Sequence, residues 1–142
     1  MDIMLICRDA LENSVISNIA MAMEAKKNGS NAGVVFTQEA LVALAGGSFR
    51  WSPLMENRDT KIKVSKNATA MGLQIASEKD KRWIDIYRLL KSAKEAGISL
   101  MACPLWSQLL QVEGKLPPEI STVDSQTLFK EMNQAKTIIG GF

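Results

Sequence analysis

Apolar and polar residues follow two different periods along this chain, and these periods predict alternating strands and helices. Short apolar runs are typical of strands buried in a sheet, whereas apolar residues spaced three and four apart are typical of helices with one buried face. Five runs predict strands: Ile3–Cys7, Ala32–Phe36, Ile98–Ala102, Ile120–Val123 and Thr137–Ile139. Helices are predicted between them, from Asp9 to a stop at Gly29, over Glu39–Leu44, from Trp83 to a stop at Gly97, over Leu105–Val112 and over Ser125–Ala135.

The residues at helix ends support these limits. Asp9 has the side chain of an N-cap, with Glu12 at the capping-box position three residues later. Asp124 or Ser125 would cap the last helix. Strands that alternate with helices pair in parallel through right-handed crossovers. The sequence therefore predicts an α/β fold, a three-layer α/β/α sandwich around a five-stranded, mainly parallel sheet.

We expect the strands to follow the flavodoxin-like order 2-1-3-4-5, in which strands one and three are neighbours. Ligands of such sheets bind beyond the carboxyl ends of the strands, where the chain order reverses. Cys7 ends the first predicted strand and Cys103 follows the third. This order would bring both sulfur atoms to the edge of one site.

The segment Ser48–Arg82 interrupts the regular pattern with a mixture of aromatic and basic residues. Within it, Lys61–Val64 alternates briefly and Ala68–Ala76 has the pattern of a helix. We interpret the segment as an insertion, at about residues 48–82, in a single domain that covers residues 1–142. Long connections of this kind are usually functional or interfacial. The mixture is typical of a solvated face, but it also suits a partner surface.

The composition of the chain narrows the range of possible functions. The 142 residues are 46% hydrophobic and 23% charged, as in ordinary soluble domains. The net charge of +2 is too small to indicate nucleic acid as a partner. The start, Met1–Ile6, has an acid where a signal peptide carries positive charge, and no apolar run is long enough for a membrane span. We expect a cytoplasmic protein.

The chain has no histidine and only two cysteines, which do not have metal-ligand spacing. This excludes His-assisted nucleophiles and His-based zinc sites. GxGxxG and Walker motifs are absent from the sequence, and the first strand–helix loop, Arg8-Asp9-Ala10, lacks the glycine and hydroxyl residues of a flavin-phosphate site. We therefore expect no cofactor and no metal.

Cys103 is the residue with the clearest chemical potential. It stands between an apolar run and a predicted helix, with Pro104 suited to the first helical position. The N–H groups and dipole at a helix start favour a thiolate over a thiol. The structural alternative is a small buried residue at a strand end, and position alone favours that alternative.

Four other residues are candidates for auxiliary roles. Cys7 could resolve a disulfide with Cys103 if their Cα atoms lie within about 7 Å, and Arg8 could stabilise a thiolate. Glu39 follows the second strand and could face the same edge, although a first-turn acid also favours its own helix dipole. Trp106 could wall a pocket or pack between subunits. For Cys7 the simpler interpretation is a core residue.

Three stretches resemble the DsrE/DsrF-like family, which includes TusD-type sulfur-relay subunits and proteins labelled peroxiredoxin-like. They are Gly33–Leu41, Ala96–Cys103 and Thr122–Phe142. Their order and spacing carry the resemblance, which spans the chain apart from Ser48–Arg82. The resemblance implies a three-layer sandwich, homo-oligomers that are often trimers or hexamers, with a dimer as another option, and a persulfide on Cys103.

The resemblance also matches Glu39 to an acidic position near the cysteine. Two residues depart from related patterns. Ala40 replaces a glycine that is common at that turn, and Leu100 stands where true peroxiredoxins have threonine, three residues before the cysteine.

Two hypotheses follow. The first is a sulfur carrier or sulfurtransferase-like protein that holds sulfane sulfur on Cys103 and exchanges it with a protein donor or acceptor. The second is a non-catalytic oligomeric binding or assembly protein of the same fold, in which Cys103 is structural.

Overall fold

The computed structural model describes residues 1–141, so Phe142, the end of the third family-like stretch, lies outside the described residues. The strands are β1 (Ile3–Cys7), β2 (Ala32–Phe36), β3 (Ser99–Ala102), β4 (Ser121–Thr122) and β5 (Thr137–Gly140). The helices are α1 (Glu12–Lys27), α2 (Glu39–Gly46), α3 (Arg58–Ala70), α4 (Ile86–Glu95), α5 (Pro104–Leu109) and α6 (Ser125–Gln134). A 3-10 turn covers Pro53–Met55.

The five strands form one parallel sheet in the order β4-β3-β2-β1-β5. The predicted five-stranded α/β architecture is confirmed. The predicted order 2-1-3-4-5 is wrong, because β2 pairs with both β1 and β3 and separates them. Hydrophobic periodicity identifies strands but does not specify which strands pair, and this pairing is set by the tertiary packing.

The strand order explains how the helices are distributed. Successive right-handed crossovers from β1 to β4 all proceed in one direction, so their connections cover the same face of the sheet. Only the return from β4 to β5 covers the opposite face. The two faces of the sheet are therefore covered unequally, by several helices on one side and by α6 on the other.

The core reflects these two layers. Alternate strand residues such as Leu5, Val34 and Leu100 point into a large apolar cluster with α1, α2 and α4. The residues between them form a smaller cluster with Leu128 of α6; its buried members are Met4, Val35, Met101 and Leu128. Among residues 1–141, every helix is too short or too polar to cross a lipid bilayer.

Several predicted helix limits need correction. Helix α1 begins at Glu12 after Leu11, and Asp9 instead accepts a hydrogen bond from the Leu11 N–H at 3.0 Å, ahead of the helix. Helix α4 begins at Ile86, capped by Asp85, so Trp83 lies outside it. The predicted cap of α6 is confirmed, since Asp124 accepts a hydrogen bond from Thr127 N.

The Ser48–Arg82 segment contains a helix that differs from the predicted one. Helix α3 begins at Arg58 because Asn57 accepts a hydrogen bond from the Thr60 N–H at 2.8 Å. The helix ends at Ala70, before a left-handed Gly72. Its span includes Lys61–Val64 and only the beginning of Ala68–Ala76. The cap at Asn57 sets where this helix begins, and the weak apolar pattern of the segment does not reveal it.

Candidate functional site

Backbone hydrogen bonds tie the carboxyl ends of β1, β2 and β3 together. Cys103 N donates to the carbonyl of Phe36 at 2.9 Å, and Thr37 N donates to the carbonyl of Cys7 at 3.0 Å. Ala40 N, in the first turn of α2, donates to the carbonyl of Arg8 at 3.2 Å. These bonds hold the cysteine-bearing strand ends on one rigid edge of the sheet.

Cys103 is the N-cap residue of α5, and Pro104 occupies the first helical position as predicted. The carbonyl of Cys103 accepts the N–H of Ser107 at 2.9 Å, which closes the first turn. Within residues 1–141 the sulfur accepts no capping hydrogen bond from α5, and the favourable effect of the helix start on a thiolate stays a prediction. The side chain is half-buried, packed against both apolar clusters and still reached by solvent.

Cys7 lies in a different environment. Its side chain is 1% exposed within the larger apolar cluster. Burial raises the pKa of the Cys7 thiol from 9.0 to about 12, and the negative charge of Asp9 adds to this effect. Cys7 is therefore a thiol at neutral pH.

The strand order separates the two cysteines. Cys7 pairs in register with Phe36, and Phe36 pairs with Ala102, the residue before Cys103. Neighbouring strands lie about 4.8 Å apart, so two strand spacings put the cysteine backbones roughly 10 Å apart. A disulfide needs Cα atoms within about 7 Å. The expectation that Cys7 resolves a disulfide with Cys103 is therefore wrong for this backbone, and both cysteines are free.

The other predicted auxiliary residues lie on the elements next to this edge. Arg8 is exposed and follows β1, so β2 stands between it and Cys103. Glu39 is exposed and begins α2. Trp106 is half-buried against the larger apolar cluster, on the helix that Cys103 caps. Among residues 1–141 no group of three or more acidic or cysteine side chains is placed to hold a metal ion.

Two features of this edge of the sheet could not be predicted from the sequence. Gln38, between β2 and α2, has φ 52° and ψ −127°, a conformation that favours glycine. Ser107 is 2% exposed, and its hydroxyl has no hydrogen-bond partner among the described residues. Backbone strain and an unpaired hydroxyl both depend on tertiary placement, so residue type alone does not reveal them.

Comparison with known proteins identifies the fold. No family model matches the chain, and no curated protein matches it. Among solved structures, the ychN protein from E. coli has a TM-score of 0.59 at 11% identity, and the match covers 99% of each chain. The chain has a DsrE-like fold. At this identity the likeness to the ychN protein establishes the architecture and leaves the chemistry to be argued from the residues.

Proposed function

We propose that this DsrE-like protein is a sulfur carrier in which Cys103 holds sulfane sulfur as a persulfide. The thiolate of Cys103 attacks the outer sulfur of a donor persulfide. The donor's sulfur–sulfur bond breaks, the donor leaves as a thiolate that takes up the proton of the outer sulfur, and Cys103 becomes Cys–S–S⁻. An acceptor thiolate then attacks the outer sulfur, and Cys103 leaves as a thiolate. Each exchange conserves electrons, so no oxidant and no cofactor is needed.

The observation that carries this proposal is the contrast between the two cysteines. Cys103 is half-buried at the carboxyl edge, whereas Cys7 is buried in the core with its pKa raised. Reactive cysteines are partly exposed, and inert structural ones are buried. The DsrE-like fold is consistent with sulfur relay, and it supports the choice of persulfide chemistry over other thiol chemistry.

Intact-mass spectrometry after incubation with a protein persulfide donor tests the proposal. Wild type and Cys7→Ser are expected to gain the mass of one sulfur atom that dithiothreitol removes, and Cys103→Ser is expected to gain none. Cys7→Ser serves as the matched control because it also removes one thiol. Equal sulfur uptake by Cys103→Ser would refute the assignment.

A second candidate function rests on the environment of the sulfur. The thiol packs against both apolar clusters and accepts no capping hydrogen bond from α5 within residues 1–141, which is also typical of a structural cysteine. In that case the protein is a non-catalytic binding or assembly protein. Native iodoacetamide labelling distinguishes the two. A carrier is expected to label at Cys103 faster than glutathione near neutral pH, and a structural cysteine is expected to label more slowly.

We also propose that the protein forms a homo-oligomer. Helix α6 contributes the buried Leu128 to the smaller apolar cluster. Two large apolar side chains remain accessible, Phe129 on α6 at 61% and Ile138 on β5 at 45%. Exposed apolar surface of this kind is typical of subunit interfaces. Sedimentation equilibrium of the purified chain is expected to give a multiple of the 15.6 kDa mass, and a monomer at micromolar concentration would contradict this.

A further inference from the structure

The Ser48–Arg82 segment is fastened to the start of α1. Glu12 N donates to the carbonyl of Arg50 at 2.7 Å. The side-chain amide of Asn13 donates from Nδ2 to the hydroxyl of Ser52 at 2.9 Å, and Ser52 N donates back to Oδ1 of the same amide at 3.0 Å. These bonds fix the aromatic residues of the segment relative to the carboxylate of Glu12.

Two adjoining cavities, of about 280 and 360 Å³, open at this junction. They share four lining residues: Glu12, Phe49, Trp83 and Ile84. Trp51 lines the first cavity and Tyr87 lines the second. The hydroxyl of Tyr87 lies close to Gly47, where a Cβ atom would meet it at 3.2 Å. We call these joined cavities the Glu12 cleft.

The tryptophan rings of the Glu12 cleft already hold positive charge. The ammonium nitrogen of Lys61 lies 6.0 Å from the centroid of Trp51. The guanidinium carbons of Arg58 and Arg82 lie 5.9 and 5.7 Å from the centroid of Trp83. These are cation–π distances. Arg50 and Lys61 also line the first cavity. The second cavity, in contrast, is lined by Asp85 as well as Glu12 and, among the described residues, by no lysine or arginine.

Glu12 supplies a partly desolvated negative charge at the same place. Burial is the main cause that raises the pKa of its carboxyl, and the charges of Asp85 and Glu56 also raise it. The charge of Lys61 and a hydrogen bond from the Trp51 side chain act in the opposite direction. Among the ion pairs of residues 1–141, Lys61 pairs with Glu56 and none includes Glu12. The carboxylate thus faces the cleft without a salt-bridged cation.

We propose that the Glu12 cleft binds a small organic cation, an ammonium group attached to an apolar ring or chain. The ammonium would pair with Glu12, and the apolar part would pack on Phe49 and Trp51. Aromatic side chains beside a carboxylate favour such a cation over a neutral compound of the same shape, because both the ring faces and the carboxylate attract positive charge. This site is separate from the sulfur chemistry proposed for Cys103 and does not depend on it.

An NMR titration of the full chain tests this proposal, with 2-phenylethylamine as the probe and the indole N–H signals of Trp51 and Trp83 as the readout. Trp106, which lies outside the cleft, serves as the internal reference. The amine is expected to shift the two cleft signals and to bind at least about tenfold more tightly than 2-phenylethanol, its neutral counterpart. Equal binding of amine and alcohol, or no shift with millimolar amine, would each overturn the proposal.

Two matched variants test whether the carboxylate of Glu12 is the group that binds the ammonium. Glu12→Gln keeps the shape of the side chain, and Glu39→Gln makes the same change at the first residue of another helix. Amine affinity is expected to fall about tenfold in the first variant and to stay unchanged in the second. Equal loss in both variants would contradict the assignment. If Glu12→Gln does not fold, the comparison of amine with alcohol on the wild type decides the question.

Discussion

Cys7 and Cys103 end their segments at the same edge of the sheet, but strand β2 lies between them. The separation of roughly 10 Å excludes a direct disulfide without backbone movement. It leaves Cys103 as a half-buried thiol with no second cysteine within disulfide distance. Such a thiol suits exchange of sulfur with another molecule, because Cys7 is too far away to attack a persulfide on Cys103 and release its outer sulfur before an acceptor binds.

The raised pKa of Cys7 makes stability depend on pH in the alkaline range. The thiol loses its proton near pH 9 in the unfolded chain and near pH 12 in the folded chain. Between these values the unfolded chain binds fewer protons, so the free energy of unfolding decreases as pH rises. Below pH 9 the contribution of Cys7 is complete, and above it the loss is at most about 1.4 kcal/mol per pH unit.

Guanidinium denaturation of wild type and Cys7→Ala at about pH 8 and about pH 10.5 measures this effect. The variant is expected to lose less stability than the wild type over the interval, because the alanine does not titrate. Any packing defect in the variant is the same at both pH values and cancels. Parallel losses in the two proteins would show that Cys7 does not titrate as described.

Gln38 stores backbone strain at the turn that joins β2 to α2. Its φ of 52° and ψ of −127° are accessible to glycine and cost other residues about 1–3 kcal/mol. Gln38→Gly is therefore expected to stabilise the fold by about 1 kcal/mol after the entropy cost of glycine. Gln126→Gly, inside helix α6, is the control and is expected to destabilise by about 1 kcal/mol. Thermal unfolding measures the stability of both variants. A Gln38→Gly variant less stable than Gln126→Gly would contradict the assignment of backbone strain to Gln38.

Ser107 and Ser65 give a matched test of hydrogen bonding in the core. Both are buried, but Ser65 donates to the carbonyl of Lys81 at 2.7 Å, whereas the Ser107 hydroxyl has no partner in residues 1–141. Removing a satisfied hydroxyl costs about 1–3 kcal/mol, and removing an unsatisfied one relieves a desolvation penalty. Chemical denaturation is expected to show that Ser65→Ala destabilises the protein and that Ser107→Ala does not. Equal losses would mean that Ser107 is bonded.

The sequence predicts most elements of this fold because the central strands β1, β2 and β3 are largely buried. Runs such as Ile3–Cys7 and Ala32–Phe36 contain no polar residue, so their apolar pattern predicts a buried strand clearly. The order of the strands was not predictable in the same way, since apolar runs carry no information about their neighbours. The helix in Ser48–Arg82 was predicted at Ala68–Ala76 and lies at Arg58–Ala70, because its limits depend on the cap at Asn57 and its outer face is polar.

The candidate site was predicted less completely than the fold. Cys103 and Pro104 stand at the predicted strand–helix junction, because both the end of an apolar run and a first-turn proline are local signals. The separation of Cys7 from Cys103 depends on the strand order, which is not local. Likewise, the Glu12 cleft joins residues from α1, Ser48–Arg82 and α4, and only the packing of these elements brings them together.

The central claim is that Cys103 carries transferable sulfur, and peptide mapping of the loaded wild-type protein tests it most directly. The protein is treated with less than one equivalent of a persulfide donor, alkylated and digested, and each cysteine peptide is sequenced by tandem mass spectrometry. The account predicts the extra sulfur on Cys103 alone, and its loss when an acceptor thiol is added before alkylation. Extra sulfur on Cys7, or on neither cysteine, would contradict it.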